Sequence, residues 1–229
     1  MLCSLLLNDI ARAKDPRVII VGSITGNDNT VGGGAVYPIA DLGKLRQLQA
    51  AAEQGVRPIA MVDSEPFNGA KAYKDSKICN MMTANELHKR YHESTGITFS
   101  TMYPGCIAET QLFREKRQWF RKLFPVFMKY VTGGYVSETE AGDRLAQCID
   151  DPRCKKSGIY WSWNGGARTV GYRDLTTGQV RGAGGAGGEL FENEPSKKVR
   201  NPVDAEKVWN YSTTITGAKW PAVKATKKV

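Results

Sequence analysis

Residues 71–110 read KAYKDSKICNMMTANELHKRYHESTGITFSTMYPGCIAET. The apolar positions Ile78, Met81, Met82 and Leu87 recur with a 3.6-residue period, which predicts a helix from roughly Tyr73 to Glu93, stopped by Gly96. A β-branched and aromatic run, Ile97 to Tyr103, follows and ends in Pro104-Gly105-Cys106, the pattern of a buried strand closed by a turn. A helix feeding a buried strand whose far end carries a turn is the repeating unit of a parallel α/β sheet.

Working outward, Arg17 to Gly22 (RVIIVG) is a second such strand, ending at Ser23, and Gly158 to Trp163 (GIYWSW) is a third. Leu2 to Ala13 forms an amphipathic helix, because Asn8, Asp9 and Arg12 interrupt what otherwise resembles the core of a signal peptide. The connection from Ile24 to Gly69 holds a short helix with Asp41 as its expected N-cap and Leu42, Leu45 and Leu48 on one face. Phe113, Phe120, Phe124 and Phe127 are spaced for one helical face, which Pro125 should bend or end. Ser137-Glu138-Thr139-Glu140 reads as a capping box before Ala141, Leu145 and Cys148, and Ala205 to Thr216, closed by Gly217, is a last helix. The expected architecture is a doubly wound parallel sheet with helices on both faces. It comprises one domain over residues 1–217, a Gly-rich loop at 172–202 and a basic tail at 218–229.

Composition sets limits on function. The chain has 229 residues, 41% of them hydrophobic and 24% charged, enough for a substantial core. No apolar run approaches the roughly 18 residues of a membrane span. Five cysteines with no C-x-x-C argue against a disulfide framework or zinc and for a reducing compartment. The net charge of +9 calls for an anionic partner, and Arg114, Lys116, Arg117, Arg121 and Lys122 supply part of it beside aromatic residues. Anionic membrane or a carboxylate-bearing substrate fits that segment; nucleic acid is the weakest reading.

Ligands of doubly wound sheets sit at the carboxyl ends of the strands, where Ser23, the start of the tyrosine helix and Cys106 all fall. Tyr73 and Lys77, at i and i+4, share a helix face, and an ammonium beside a phenol is expected to lower the phenol's pKa for proton transfer. Tyr-x-x-x-Lys also arises by chance on many helices; Ser23 before it and Pro104-Gly105 after it give it meaning.

This order resembles the short-chain dehydrogenase/reductase family. AYKDSKICN, ELHKRYHESTGITF, YPGCIAET, KYVTGGYVSE, SGIYWSW and EKVW are similar to its light-dependent, protochlorophyllide-reducing branch, with Cys106 directly after Pro-Gly and 50 positions between Ser23 and Tyr73. The resemblance is nearly continuous from Leu2 to Trp163. It implies an enzyme that reduces the C17–C18 double bond of protochlorophyllide with NADPH under light, in a chloroplast or the cytoplasm of a photosynthetic bacterium, peripheral to photosynthetic membranes. It also implies that Ser23, Tyr73, Lys77 and Cys106 carry the chemistry, either Tyr73 or Cys106 donating the proton. Pro104, Gly105, Ile107 and Thr110 would join Ser23, Tyr73 and Lys77 around the cofactor, and Phe113, Phe120 and Phe124 would line the pigment site with Tyr73 and Cys106.

Members of this family begin with a strand and a Gly-rich turn for the pyrophosphate. Relative to that pattern the chain reads as the C-terminal part, with Arg17 to Gly22 left at an open sheet edge and low activity expected unless a second copy or another partner supplies strands. A light-independent reductase of another carbonyl or alkene, or a non-enzymatic pigment- or membrane-binding fragment, are the competing readings.

Three motifs carry less. Gly182-x-Gly184-x-x-Gly187 lacks the strand and helix that a dinucleotide fingerprint needs and reads as a flexible loop. His88 and His92 have zinc spacing without a third ligand and read as a polar helix face. Asn210-Tyr211-Ser212, a glycosylation sequon, falls inside a helical pattern.

Overall fold

A computed structural model describes residues 1–27, 31–34, 36–114, 116–166, 172–173, 178, 180–181 and 184–222. Gly182 and residues 223–229 of the basic tail lie outside that set. Four strands form the main sheet in the order β1 (Arg17–Val21), β2 (Thr98–Met102), β3 (Ile159–Trp163) and β6 (Leu190–Asn193). The first three run parallel, with Ile19 opposite Ser100 and Thr101 opposite Tyr160. β6 is antiparallel to β3, Trp161 facing Glu192, so the sheet is mixed rather than wholly parallel. That strand lies within the segment expected to be only a Gly-rich loop; Leu190 and Phe191 are buried on opposite faces of the sheet, which is what recruits it. A short hairpin, β4 (Tyr172–Arg173) with β5 (Val180–Arg181), occupies the same segment.

Alternation along the strands divides the core. Val18, Ile20 and Phe99 face a cluster with Leu7, Leu87, Tyr91 and Trp209, and Tyr103 and Tyr160 continue that face among Ile78, Met81, Met82 and Val208. The residues between them, Ile19, Met102, Ile159, Trp161 and Trp163, face Cys148, Cys154 and Leu190. Helix α1 (Leu2–Ile10) packs Leu7 on the first face and the short α2 (Val31–Gly34) follows β1; α4 (Gly69–Thr95) and α7 (Pro202–Thr216) cover that first face, α6 (Glu138–Asp150) the second. This is a partial Rossmann-type α/β sheet covered on both sides.

Helix α4 starts four residues earlier than its apolar period predicts. Asn68 is the N-cap, its Oδ1 accepting from the N–H groups of Ala70 and Lys71, each at 3.1 Å. The helix ends as expected at Gly96, which takes φ +70°. A buried ionic cluster fastens the preceding connection to its first turns: Lys71 Nζ donates to Asp63 Oδ2 and the Asp41 carbonyl, both at 2.5 Å, and to Asp75 Oδ2 at 2.7 Å. The Asp75 carboxylate also accepts from the Asp41 N–H. Asp41 therefore does not cap α3 (Arg46–Gln54); its side chain accepts from the Gly43 N–H in the turn before, and Leu45, with φ +61°, occupies the cap position. Leu42, Leu45 and Leu48 do share a buried face.

Helix α5 (Gln118–Phe127) continues through Pro125 and passes into one π-turn, Met128–Thr132, instead of ending there. Phe113 lies in a separate 3-10 turn, Gln111–Phe113, yet its ring meets Phe120 and Phe124 at centroid distances of 6.2 and 4.8 Å. Phe127 is 49% exposed and outside that trio. Among the described residues, no helix is long and apolar enough to cross a membrane.

Candidate active site

The site assembles at the carboxyl ends of β1 and β2. After β1 the chain turns at Ser23, which is buried and caps the 3-10 turn Ile24–Gly26; its Oγ accepts from the Thr25 N–H at 3.2 Å and lies 2.9 Å from Thr25 Oγ1. Tyr73 enters from the second turn of α4. Burial pushes its phenol above the ordinary value, the Ser23 hydroxyl pulls it back down as a hydrogen-bond partner, and nearby Cys106 adds to the rise. The net direction is upward, opposite to the lowering expected from Lys77. The geometry explains this: Lys77 Nζ sits 5.4 Å from the centroid of the Tyr73 ring and donates to the Val21 carbonyl at 3.2 Å. Burial lowers the Lys77 pKa in turn. A phenol held neutral is a proton donor rather than a base.

Cys106 follows the Pro104-Gly105 turn beyond β2. Its carbonyl accepts from the Val136 N–H at 3.0 Å, and burial pushes its thiol up to about 11, so it too keeps its proton at neutral pH. Gly105 holds φ +110°, and a Cβ there would come within 2.2 Å of Val136 Cγ2. Ile107 and Thr110 form the next turn, closed by the Thr110 hydroxyl on the Ile107 carbonyl at 3.1 Å. The structure thus brings Ser23, Tyr73, Lys77 and Cys106 to one edge. Phe113 lines a separate cleft of about 300 Å³ with Thr110, Gln118, Arg121, Lys122 and Pro125.

Two residues of this neighbourhood escape motif reading. Tyr103 is buried, its hydroxyl pushed well above the ordinary value by burial and by Cys106. Arg144 on α6 is 3% exposed and reaches the Pro104 carbonyl at 2.8 Å. A charged residue on the same helix face as Ala141 and Cys148 was its signal.

Other motifs resolve into structure. Gly184–Gly188 precede β6 and open no helix, and they pack instead of forming a free loop: the Gly185 N–H donates to Gly165 and the Ala186 N–H to Tyr135. A Cβ at Gly185 would stand 1.7 Å from the Gly133 carbonyl and one at Gly188 2.1 Å from the Gly165 nitrogen, so close backbone approach explains these two glycines, while Gly187 takes φ +73°. His88 Nδ1 lies 2.9 Å from Ser157 Oγ and His92 Nδ1 2.8 Å from the Ile97 carbonyl, so these rings tie α4 to the sheet. Among the described residues no group of three His, Cys, Asp or Glu side chains is arranged to hold a metal. Asn210 lies in α7.

No family model matches the chain. Proteins named protochlorophyllide reductase match it over 95% of its length: 51% identity over 219 residues with that of Marchantia paleacea, 49% over 219 residues with that of Pisum sativum, and 50% over 220 residues with that of Avena sativa. The Marchantia and Pisum proteins are described as chloroplastic. These matches cover 43%, 49% and 63% of the three relatives, so the chain spans about half the length of the proteins it matches. The crystal structure of an uncharacterized protein from Mycobacterium paratuberculosis superposes with a TM-score of 0.51 at 17% identity, covering 96% of this chain and 56% of that one, a likeness of fold.

Proposed function

We propose that this chain, whose relatives at about half identity are protochlorophyllide reductases, provides the proton-donating side of a light-driven, NADPH-dependent reduction of the C17–C18 double bond of protochlorophyllide. The observation that carries the reading is the meeting of Ser23, Tyr73, Lys77 and Cys106 at one sheet edge within a chain of that similarity. The nicotinamide end of the cofactor fits this edge. Lys77 holds an ammonium with three donors, of which the Val21 carbonyl takes one, and the Pro104-Gly105 turn presents backbone beside it. Ser23, Tyr73, Ile107 and Thr110 complete that neighbourhood. When bound, NADPH supplies the hydride that reaches C17.

Tyr73 then gives its proton to C18. Its raised pKa keeps the phenol protonated, and Ser23 orients the hydroxyl. Cys106, also protonated and a close neighbour of Tyr73, serves as a reserve donor. Phe120 and Phe124, stacked at 4.8 Å, with Phe113 tilted against Phe124 at the same distance, offer an aromatic surface for the flat ring system. Arg121 and Lys122 on the adjoining cleft suit a pigment carboxylate.

The same segment supports contact with an anionic membrane surface inside a chloroplast. Trp119, Leu123, Val126, Tyr130 and Val131 are at least half exposed, and Arg121, Lys122 and Lys129 are interspersed with them.

The test is illumination of the chain with NADPH and protochlorophyllide, followed by absorbance. Product formed only in light, and only with NADPH, supports the reading. Product formed equally in darkness replaces it with a conventional reductase.

A further inference from the structure

Arg144 belongs to α6, but its guanidinium works outside that helix. Nη1 donates to the carbonyls of Pro104 and Gly184 at 2.8 and 2.9 Å. Nη2 donates to those of Gly185 and Gly187 at 2.6 and 2.9 Å and to Glu140 Oε1 at 2.7 Å. Its carbon centre lies 5.2 Å from the ring centroid of Trp163. A buried cation is costly unless its donors are used, and here four backbone oxygens and one carboxylate take them.

These partners join the turn after β2 to the glycine strip that leads into β6. The strip is packed backbone against backbone: a Cβ at Gly165 would stand 2.1 Å from the Gly187 carbonyl, and one at Gly105 would stand 2.9 Å from Arg144 Nη1 itself. Glu140 secures the far side, accepting from the Gly187 N–H at 2.8 Å. A lysine ammonium radiates from one point and does not match acceptors spread along a planar fork.

We propose that Arg144 is the positioning residue of the Pro104-Gly105-Cys106 turn, its guanidinium tying that turn to the Gly184–Gly187 strip and so holding the Cys106 thiol beside Tyr73 and Tyr103. The role rests on the reading of Tyr73 and Cys106 as the groups that face the reacting double bond. Arg144 spends its donors on backbone carbonyls and on Glu140, so it acts through the turn.

The test uses the whole chain without pigment or cofactor. Wild type, Arg144→Lys and Glu140→Gln are alkylated with iodoacetamide, and the five cysteines are followed separately by peptide mass. Arg144→Lys is expected to raise the rate at Cys106 about tenfold, through loss of charge-assisted bonds that hold the turn closed. The pH profile of Cys106 moves down from about 11 toward the ordinary thiol value as water reaches it, while buried Cys148 and Cys154 keep their wild-type rates. Glu140→Gln keeps the guanidinium but removes its counter-charge, and is expected to give a smaller rise of about threefold at Cys106 alone. An unchanged Cys106 rate in Arg144→Lys overturns the proposal, as does a rise in step at all three cysteines in both variants. Should Arg144→Lys loosen the whole fold, Glu140→Gln decides: a selective rise at Cys106 supports the clamp and its absence overturns it. Because alkylation needs no turnover, a selective Cys106 response in a chain that reduces no pigment counts against the proposed reaction and not against the clamp.

Discussion

Helices α4 and α5 both border the candidate site, and they are built in opposite ways. Nine residues of α4 are buried, including the charged Lys74, Asp75 and Glu86, whereas α5 buries none. Helix α4 is capped at both ends and fastened by the Lys71 cluster; α5 has no side-chain N-cap bond and runs through a proline into a π-turn. The groups proposed for proton transfer and cofactor contact, Tyr73 and Lys77, are on the first. The groups that need surface, Phe120, Phe124, Arg121 and Lys122, are on the second. The proposed reaction thus divides chemistry and contact between a wall held by the core and a wall held mainly by its own aromatic rings.

Breaking the α4 side is expected to have the largest effect. Lys71→Met leaves Asp63 and Asp75 buried without their cation and is expected to cost about 3–5 kcal/mol in chemical denaturation. Burial works to raise the Asp63 pKa, but the Lys71 hydrogen bond and field prevail and hold it below the ordinary value. Its contribution is therefore complete above the unfolded carboxylate pKa and is lost as the pH falls through the lower, folded one. In Lys71→Met the deficit should shrink on acidification, as the stranded carboxylates take up protons. A deficit independent of pH would show that lost packing, not charge, is responsible.

Leu87→Ala, at a fully buried position, is expected to cost about 2–5 kcal/mol. Leu123→Ala, 59% exposed on α5, should change stability by no more than about 0.5 kcal/mol. It should nonetheless weaken co-sedimentation with anionic vesicles. Equal destabilisation by the two substitutions would erase the contrast between the helices; unchanged vesicle binding would remove the membrane role from α5.

The same contrast explains what the sequence disclosed. Ile78, Met81, Met82 and Leu87 announce α4 because one face is buried from Lys74 to Tyr91, and Gly96 marks its end because a left-handed residue is needed there. The meeting of the candidate residues Ser23, Tyr73 and Cys106 at one sheet edge was legible because each stands at the end or start of such an element. Asn68 was passed over because the apolar period begins after the cap. The π-turn after Pro125 leaves no mark in a pattern read at 3.6 residues per turn. Residues 184–188 look like a flexible tract by composition alone; only long-range packing on Gly133 and Gly165 shows that the missing side chains of Gly185 and Gly188 make room for other backbone. The direction of the Tyr73 pKa was misjudged for a related reason. Helical spacing puts Lys77 beside the ring, but it does not reveal how much burial surrounds the hydroxyl.

The most direct test of the central claim, that Tyr73 gives the proton, is single-flash absorbance on wild type, Tyr73→Phe and Cys106→Ser, with pigment binding measured before the flash. The account predicts that Tyr73→Phe binds pigment normally but slows the protonation step by about 10²–10⁴-fold, while Cys106→Ser retains most of the rate. Loss of protonation in Cys106→Ser with an unchanged rate in Tyr73→Phe would contradict it.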